Sequence, residues 1–284
     1  MIKPYPTIGL LIDGQWIHDR PTLCDVENPA DESILGTVPK ASAADLQAAL
    51  ESSARGFEVW RKTPPGQRAA LMQRAAALVR ERAEEIAPVF VRESGRTLAE
   101  VRAEIERSAT FLDWDSAEIV RMYGRIVPSD PPVQQFVVRE PIGPVAAFTP
   151  WNVPMSAPSR KISASLAAGC SIILKPAEET PATACLFAQC FMDAGLPRGV
   201  LNLVFGAPDE VSRTLVLSPI TRLVTLTGSI SVGKHLTRLA AETMKPVLME
   251  LGGHAPVLVD EGVNPAEVAR LAEGALGERE RLGG

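Results

Sequence analysis

The stretch GPVAAFTPWNVP at residues 143–154 joins two kinds of sequence. VAAF at 145–148 is short, apolar and bounded by glycine and proline, as a buried strand requires. The second half is a turn, and past Pro154 the apolar Ile162 and Leu166 recur at helical spacing. The same change repeats downstream. SIILK at 171–175 runs into KPAEETP at 175–181 and then a helical segment over 182–192, and VLNLVF at 200–205 follows as a third strand. LVTLT at 223–227 runs into LTGS at 226–229, and VLMEL at 247–251 into MELGGH at 249–254. Strands and helices alternating at these lengths predict right-handed βαβ crossovers and a parallel sheet, hence an α/β, Rossmann-like fold. In such a sheet the ligand crevice lies where the strands end, which is where these strings sit.

Upstream, Asp13-Gly14 between LLI and QWI predicts a tight hairpin turn, and ILGTVP at 34–39 an edge strand. Ser42 with Asp45 three residues on predicts a capped helix carrying Leu46, Leu50 and Phe57. A longer helix is predicted after Pro64-Pro65, with Leu71, Leu78, Ile86 and Phe90 on its apolar stripe, a kink at Pro88 and an end at Gly95. A third helix from about Leu98 turns Val101, Ile105 and Leu112 inward. GRIVPSDPPVQQFVVREPI at 124–142 predicts two strands around a proline-rich turn, a hairpin that either projects or forms a sheet edge. No catalytic role is assigned before residue 140.

The chain has 284 residues, 46% hydrophobic and 22% charged, the balance of a globular protein with a sizeable core. Its net charge of −5 argues against a nucleic-acid surface, which would show as a basic excess. No run reaches the ~18 apolar residues of a membrane span, and MIKPYPTIGL has no leader pattern, so the expectation is a cytoplasmic protein acting on small molecules. Cys24, Cys170, Cys185 and Cys190 are scattered without metal-site spacing, and His18, His235 and His254 stand far apart. The expectation is reduced, buried thiols and no metal.

Each string at the strand ends has a bland and a chemical reading. Asn152, before Pro154, could cap a helix, or its carboxamide could donate to an oxyanion as a carbonyl becomes tetrahedral. Lys175 and Glu178 could be an exposed ion pair. They could equally hold a ribose, where the carboxylate accepts from the hydroxyls and repels a 2′-phosphate, favouring NAD over NADP. Gly228 and Ser229, with Gly233 in the next helix, offer close approach, a hydroxyl and helix N–H groups to a pyrophosphate. Gly206 fits the same crevice or is only a turn. Glu250, at the end of an apolar strand, is either salt-bridged or suited to general-base work.

Taken together, FTPWNVP, KPAEETP, LTGS and MELGGH resemble the NAD(P)-dependent aldehyde dehydrogenase superfamily, in particular succinate-semialdehyde-dehydrogenase-like, non-acylating members. The resemblance runs from about Leu10 to about Val259. It implies that Asn152 is the oxyanion donor, Glu250 the general base, and Lys175 and Glu178 the partners of the adenosine ribose. Pro150, Trp151, Gly206, Gly228, Ser229 and Val232 join the cofactor set, with Leu251 near the nicotinamide carboxamide. It also explains the missing G-x-G-x-x-G, because these enzymes bind the dinucleotide with fewer glycines in the first turn. Leu226 departs from the pattern, standing where an aromatic is frequent.

The larger departure is chemical. The family's reaction begins with a cysteine thiolate attacking the aldehyde, and no cysteine follows Glu250. The stretch 270–284, ending RLAEGALGERERLGG, is charged and glycine-rich and leaves the family's pattern. The expected organisation is an N-terminal part of the cofactor domain at 1–123, a projecting, oligomerisation-type hairpin at 124–142, an NAD-binding core at 143–249, and the start of a truncated catalytic domain at 250–284. The chain is therefore expected to oxidise no aldehyde unless its catalytic domain is completed, and to bind NAD only weakly if at all, because the nicotinamide half lacks its opposite wall. The rival expectation is a non-catalytic NAD-binding remnant or assembly partner of a full-length dehydrogenase. Homo-oligomerisation is implied by the resemblance alone.

Overall fold

The computed structural model describes residues 4–254 and 256–272. The departure expected over 270–284 falls almost wholly outside them. Asp13 and Gly14 take φ of 53° and 74°, the mirror-image turn that matches strand twist. They join β1 (Leu10–Ile12) to β2 (Gln15–Ile17) in the predicted hairpin. β3 (Leu23–Glu27) and β4 (Ile34–Pro39) form a separate two-stranded sheet. β4 is the strand expected at 34–39, whereas β3 was not read from the sequence.

α1 (Ala43–Trp60) opens on the predicted cap: Ser42 Oγ accepts from Asp45 N, and the Asp45 carboxylate accepts from Ser42 N. The single helix expected after Pro64 is instead two, α2 (Pro65–Glu81) and α3 (Ala83–Ser94). The break lies at Arg82, with φ −95° and ψ 7°, and not at Pro88. Starting α3 at Ala83 places the carbonyl that Pro88 cannot satisfy, that of Glu84, in the first turn, and Glu84 and Pro88 are both exposed. α3 ends at Gly95 as expected, and α4 (Leu98–Glu118) opens on a Thr97–Glu100 capping box.

β5 (Arg125–Val127) and β6 (Gln135–Val137) pair antiparallel as the predicted hairpin, almost wholly exposed. Then the expected alternation follows: β7 (Val145–Phe148), α5 (Ser156–Ala167), β8 (Ile172–Lys175), α6 (Pro181–Asp193), β9 (Leu201–Leu203), α7 (Pro208–Leu217), β10 (Leu223–Gly228), α8 (Ile230–Ala241) and β11 (Val247–Leu251).

These strands form one sheet in the order β11-β10-β7-β8-β9-β1-β2, parallel from β11 to β9. β1 then pairs antiparallel with β9, and β2 forms the edge. From β7 the chain steps outward to β8 and β9, then returns to build β10 and β11 on the other side. The order reverses between β7 and β10, so the crevice of this fold opens outside their carboxyl ends. α2 and α3 lie against α6, α4 against α5, and α1 against β1, β9 and α7. That last contact is close enough to require glycine: a Cβ at Gly56 would stand 2.2 Å from the Gly199 carbonyl carbon.

Candidate active site

The crevice is shaped by how each helix N-terminus is satisfied. The first turn of a helix leaves N–H groups unpaired and favours negative charge. At α5 that charge is a protein carboxylate: Glu104 Oε1 accepts from Met155 N at 3.2 Å, Ser156 N at 3.0 Å and Ser156 Oγ at 3.2 Å. Arg96 donates to the other oxygen, and both partners are at least 95% buried. At α6 the fully buried Glu93 accepts from Ala182 N at 2.7 Å, Thr183 N at 2.9 Å and Thr183 Oγ1 at 2.5 Å, and from Tyr5. α7 carries Asp209 and Glu210 in its first turn. At α8, among the described residues, no carboxylate accepts from the first turn. There Ser229 Oγ accepts from Val232 N at 3.3 Å and lies 2.9 Å from Ser231 Oγ. This leaves α8 as the helix whose N-terminus can take an outside anion.

A cleft of about 630 Å³ lies at the switch point. It brings together Pro150, Trp151, Lys175, Gly228, Ser229 and Val232, all singled out from sequence. Glu178 and Gly206 join at its side: Lys175 Nζ donates to Glu178 Oε2 at 2.5 Å, and Gly206 N donates to Glu178 Oε1 at 3.0 Å. Thr149, Asp209, Ser212 and His235 also line the cleft and were not anticipated. His235 Nε2 lies 3.7 Å from Asp209 Oδ1, bridging α7 and α8. The amphipathic pattern of these two helices holds the only sequence signal for them.

β11 divides its two site residues between faces, because successive side chains of a strand point opposite ways. Leu251, beside Gly228 in register, packs on α8, where a Cβ at Gly233 would come within 2.6 Å of it. Glu250 instead lines a second cavity of about 370 Å³ with Val153, Thr227, Arg107, Arg160 and Lys161. Lys161 is 7% exposed and makes no hydrogen bond among the described residues. Burial pulls its ammonium below the usual lysine range, and the Glu250 carboxylate opposes that shift. The Arg160 guanidinium stacks on Phe111 at 4.5 Å. None of these cations was singled out from sequence, although two adjacent ones on an otherwise uncharged helix are a usable signal.

Asn152 lies between Trp151 of the first cavity and Val153 of the second. Its Oδ1 is buried, and its carboxamide bonds to no described residue. Met155, at the end of this turn, is fully buried in the core. No cysteine lines either cavity. Burial pushes the Cys185 thiol up to about 12, the Cys190 thiol up to about 11, and that of Cys170 upward. Cys24 is half-exposed on β3, correcting the expectation that all four are buried, because β3 packs on one face only. Among the described residues no cluster could hold a metal, and no helix is long and apolar enough to cross a membrane.

Residues 16–278 match the family model described as the aldehyde dehydrogenase family. This chain belongs to that family. It is 44% identical over 265 residues to the 4-(hydroxymethyl)benzenesulfonate dehydrogenase of Comamonas testosteroni, covering 92% of this chain and 54% of the relative. It is 38% identical over 275 residues to the glutarate-semialdehyde dehydrogenase of Pseudomonas aeruginosa, covering 96% and 56%. The crystal structure of an aldehyde dehydrogenase from Brucella melitensis biovar abortus superposes with a TM-score of 0.92 at 35% identity, covering 95% of this chain and 56% of that one. This aldehyde dehydrogenase chain thus spans about half the length of the relatives it matches. The family's cofactor, NAD(P), suits the residues present. Thr149 Oγ1, on the cleft wall, is buried without a partner among the described residues, and the anion-ready α8 terminus lines the same cleft as Lys175.

Proposed function

We propose that this chain is the dinucleotide-binding part of an aldehyde dehydrogenase, with NAD preferred over NADP and an aldehyde bearing an anionic group as substrate. The observation that carries this reading is the placement of two cavities on either side of the 149–155 loop. When bound, the dinucleotide supplies the hydride acceptor. Lys175 and Glu178 hold its ribose hydroxyls, and a 2′-phosphate there would meet the Glu178 carboxylate. Ser229 and the first turn of α8, including Val232, receive the pyrophosphate. Pro150, Trp151, Gly206, Gly228 and Leu251 wall the site.

On the other side Asn152, without a hydrogen-bond partner among the described residues, donates to the carbonyl oxygen as it gains charge. A donor of this kind is worth about 3–4 kcal/mol. Glu250 takes the proton from the attacking thiol or water. Arg107, Arg160 and Lys161 receive the substrate's anionic end. A sulfonate and the carboxylate of a semialdehyde, the groups in the names of the two relatives above, fit such a cavity.

No cysteine of this chain stands where a thiolate would attack, so the 284-residue chain binds the dinucleotide without turning over aldehyde. The division at 123, 142 and 249, the cytoplasmic location and homo-oligomerisation belong to the same proposal. The exposed apolar residues of the 124–142 hairpin, including Ile126 and Phe136, favour a second role as an assembly partner of a full-length relative. Titration with NADH and NADPH, followed by incubation with NAD and glutarate semialdehyde, tests the reading. Saturable binding, tighter for NADH, and no NADH formation are expected. Absence of saturable binding overturns the cofactor assignment, and NADH formation abolished by replacing one of the chain's own cysteines overturns the inactivity.

A further inference from the structure

Glu104 lies in the middle of α4, one turn before Arg107 of the second cavity and 44 or more residues before any residue of the first, and it is 1% exposed with its carboxylate fully engaged. One oxygen accepts from Met155 N, Ser156 N and Ser156 Oγ, and the other accepts from Arg96. These three donors stand at the end of the 149–155 loop. Its start is fixed separately, by Thr149 N donating to the Lys175 carbonyl at 3.2 Å. Between the two anchors lie Trp151, which walls the first cavity, Val153, which lines the second, and Asn152 between them. The next turn of α4 strengthens the contact: Ser159 Oγ donates to the Ser108 carbonyl at 2.7 Å. The loop that separates the two cavities is therefore pinned at its far end by a side chain from the outer helical layer.

We propose that Glu104 is a positioning residue that sets the 149–155 loop, and through it the geometry of both cavities. A buried charge pair is weak evidence of stabilisation, because apolar replacement of both partners is often neutral or favourable. What Arg96 and Glu104 provide that an apolar pair cannot is an oriented acceptor for the Met155 and Ser156 N–H groups. The pair of apolar substitutions therefore separates a structural role from a positioning one.

The experiment compares the wild-type chain with the double variant Arg96→Met/Glu104→Met, measuring thermal melting, NADH affinity and amide exchange. Its affinity readout rests on the dinucleotide reading above. The expected result is a still cooperative melt at a lower midpoint, since the Met155 and Ser156 N–H groups lose their acceptor, an NADH Kd raised about tenfold, and faster exchange confined to the Met155 and Ser156 amides and their neighbours. A double variant with wild-type NADH affinity and wild-type protection at those amides overturns the proposal. If the double variant does not fold, Glu104→Gln replaces it. This variant keeps an acceptor but turns an amide toward Arg96. Faster exchange local to 150–156 then supports the proposal, and uniformly faster exchange overturns it. Should the wild-type chain bind no NADH, the cofactor reading falls, and the exchange pattern alone decides the role of Glu104.

Discussion

Glu178 uses both carboxylate oxygens before any ligand arrives, one on Lys175 Nζ and one on Gly206 N. Its position is therefore fixed by the protein, and on the proposed reading its charge meets the ribose. Glu178→Gln keeps the shape and removes the charge. The expected outcome is weaker NADH binding and stronger NADPH binding, narrowing the ratio of their dissociation constants about tenfold, or ~1.4 kcal/mol. Parallel fluorescence titrations check it. Glu178 was readable because KPAE directly follows a buried strand. Arg107 was not, because it meets the second cavity only after α4 packs on α5, and a charge on a long amphipathic helix looks like any solvated position. Lys161 was missed for a related reason: its burial is created by residues remote in sequence.

At the scale of elements, caps were the most legible feature. Ser42 and Asp45 begin α1 as their spacing implied, and Arg20 adds a two-pronged contact to Asp45, at 2.8 and 2.6 Å. Those hydrogen bonds hold the Asp45 carboxyl down at about 2. Because the folded value lies below the unfolded one of about 4, the carboxylate contributes stability above about pH 4 and loses it as pH falls through about 2. Asp45→Asn should cost about 2 kcal/mol at neutral pH. The gap from wild type should close between about pH 4 and pH 2, as measured by denaturant unfolding across that range. The five parallel strands were legible from apolar runs with turn residues after them. β3 was not, since LCDVE mixes charges with a single fully buried side chain, Val26, and owes its strand to pairing with β4. The division at Arg82 was not legible, since no proline or glycine marks it, while Pro88 sits inside α3.

Across the whole molecule, the apolar surface is uneven. Ile126 is 78% exposed, Val138 71% and Phe136 61%, all within the hairpin segment, while among the described residues β11 pairs only with β10 and leaves Leu248 54% exposed. Contiguous exposed apolar side chains on a strand pair favour association. Ile126→Lys should weaken self-association about tenfold, close to one unit of ~1.4 kcal/mol, with NADH affinity unchanged. Sedimentation velocity over a concentration series measures the first and titration the second. The fold class was readable as a whole because alternation of strand and helix is a local property. The layering that places α4 against α5, and so creates the second cavity, is not.

The antiparallel closure of β1 on β9 sets an order of events during synthesis. Asp13 N donates to Asn202 Oδ1, a contact spanning 189 residues. At ~5–20 residues per second, about 10 to 40 seconds separate the emergence of the two partners from the ribosome. Throughout that interval Leu10 and Leu11, fully buried in the finished protein, have no β9 to lie against. The first strand to be made is thus among the last to find its place in the sheet, and its protection in the meantime must come from outside the chain or from transient contacts with α1.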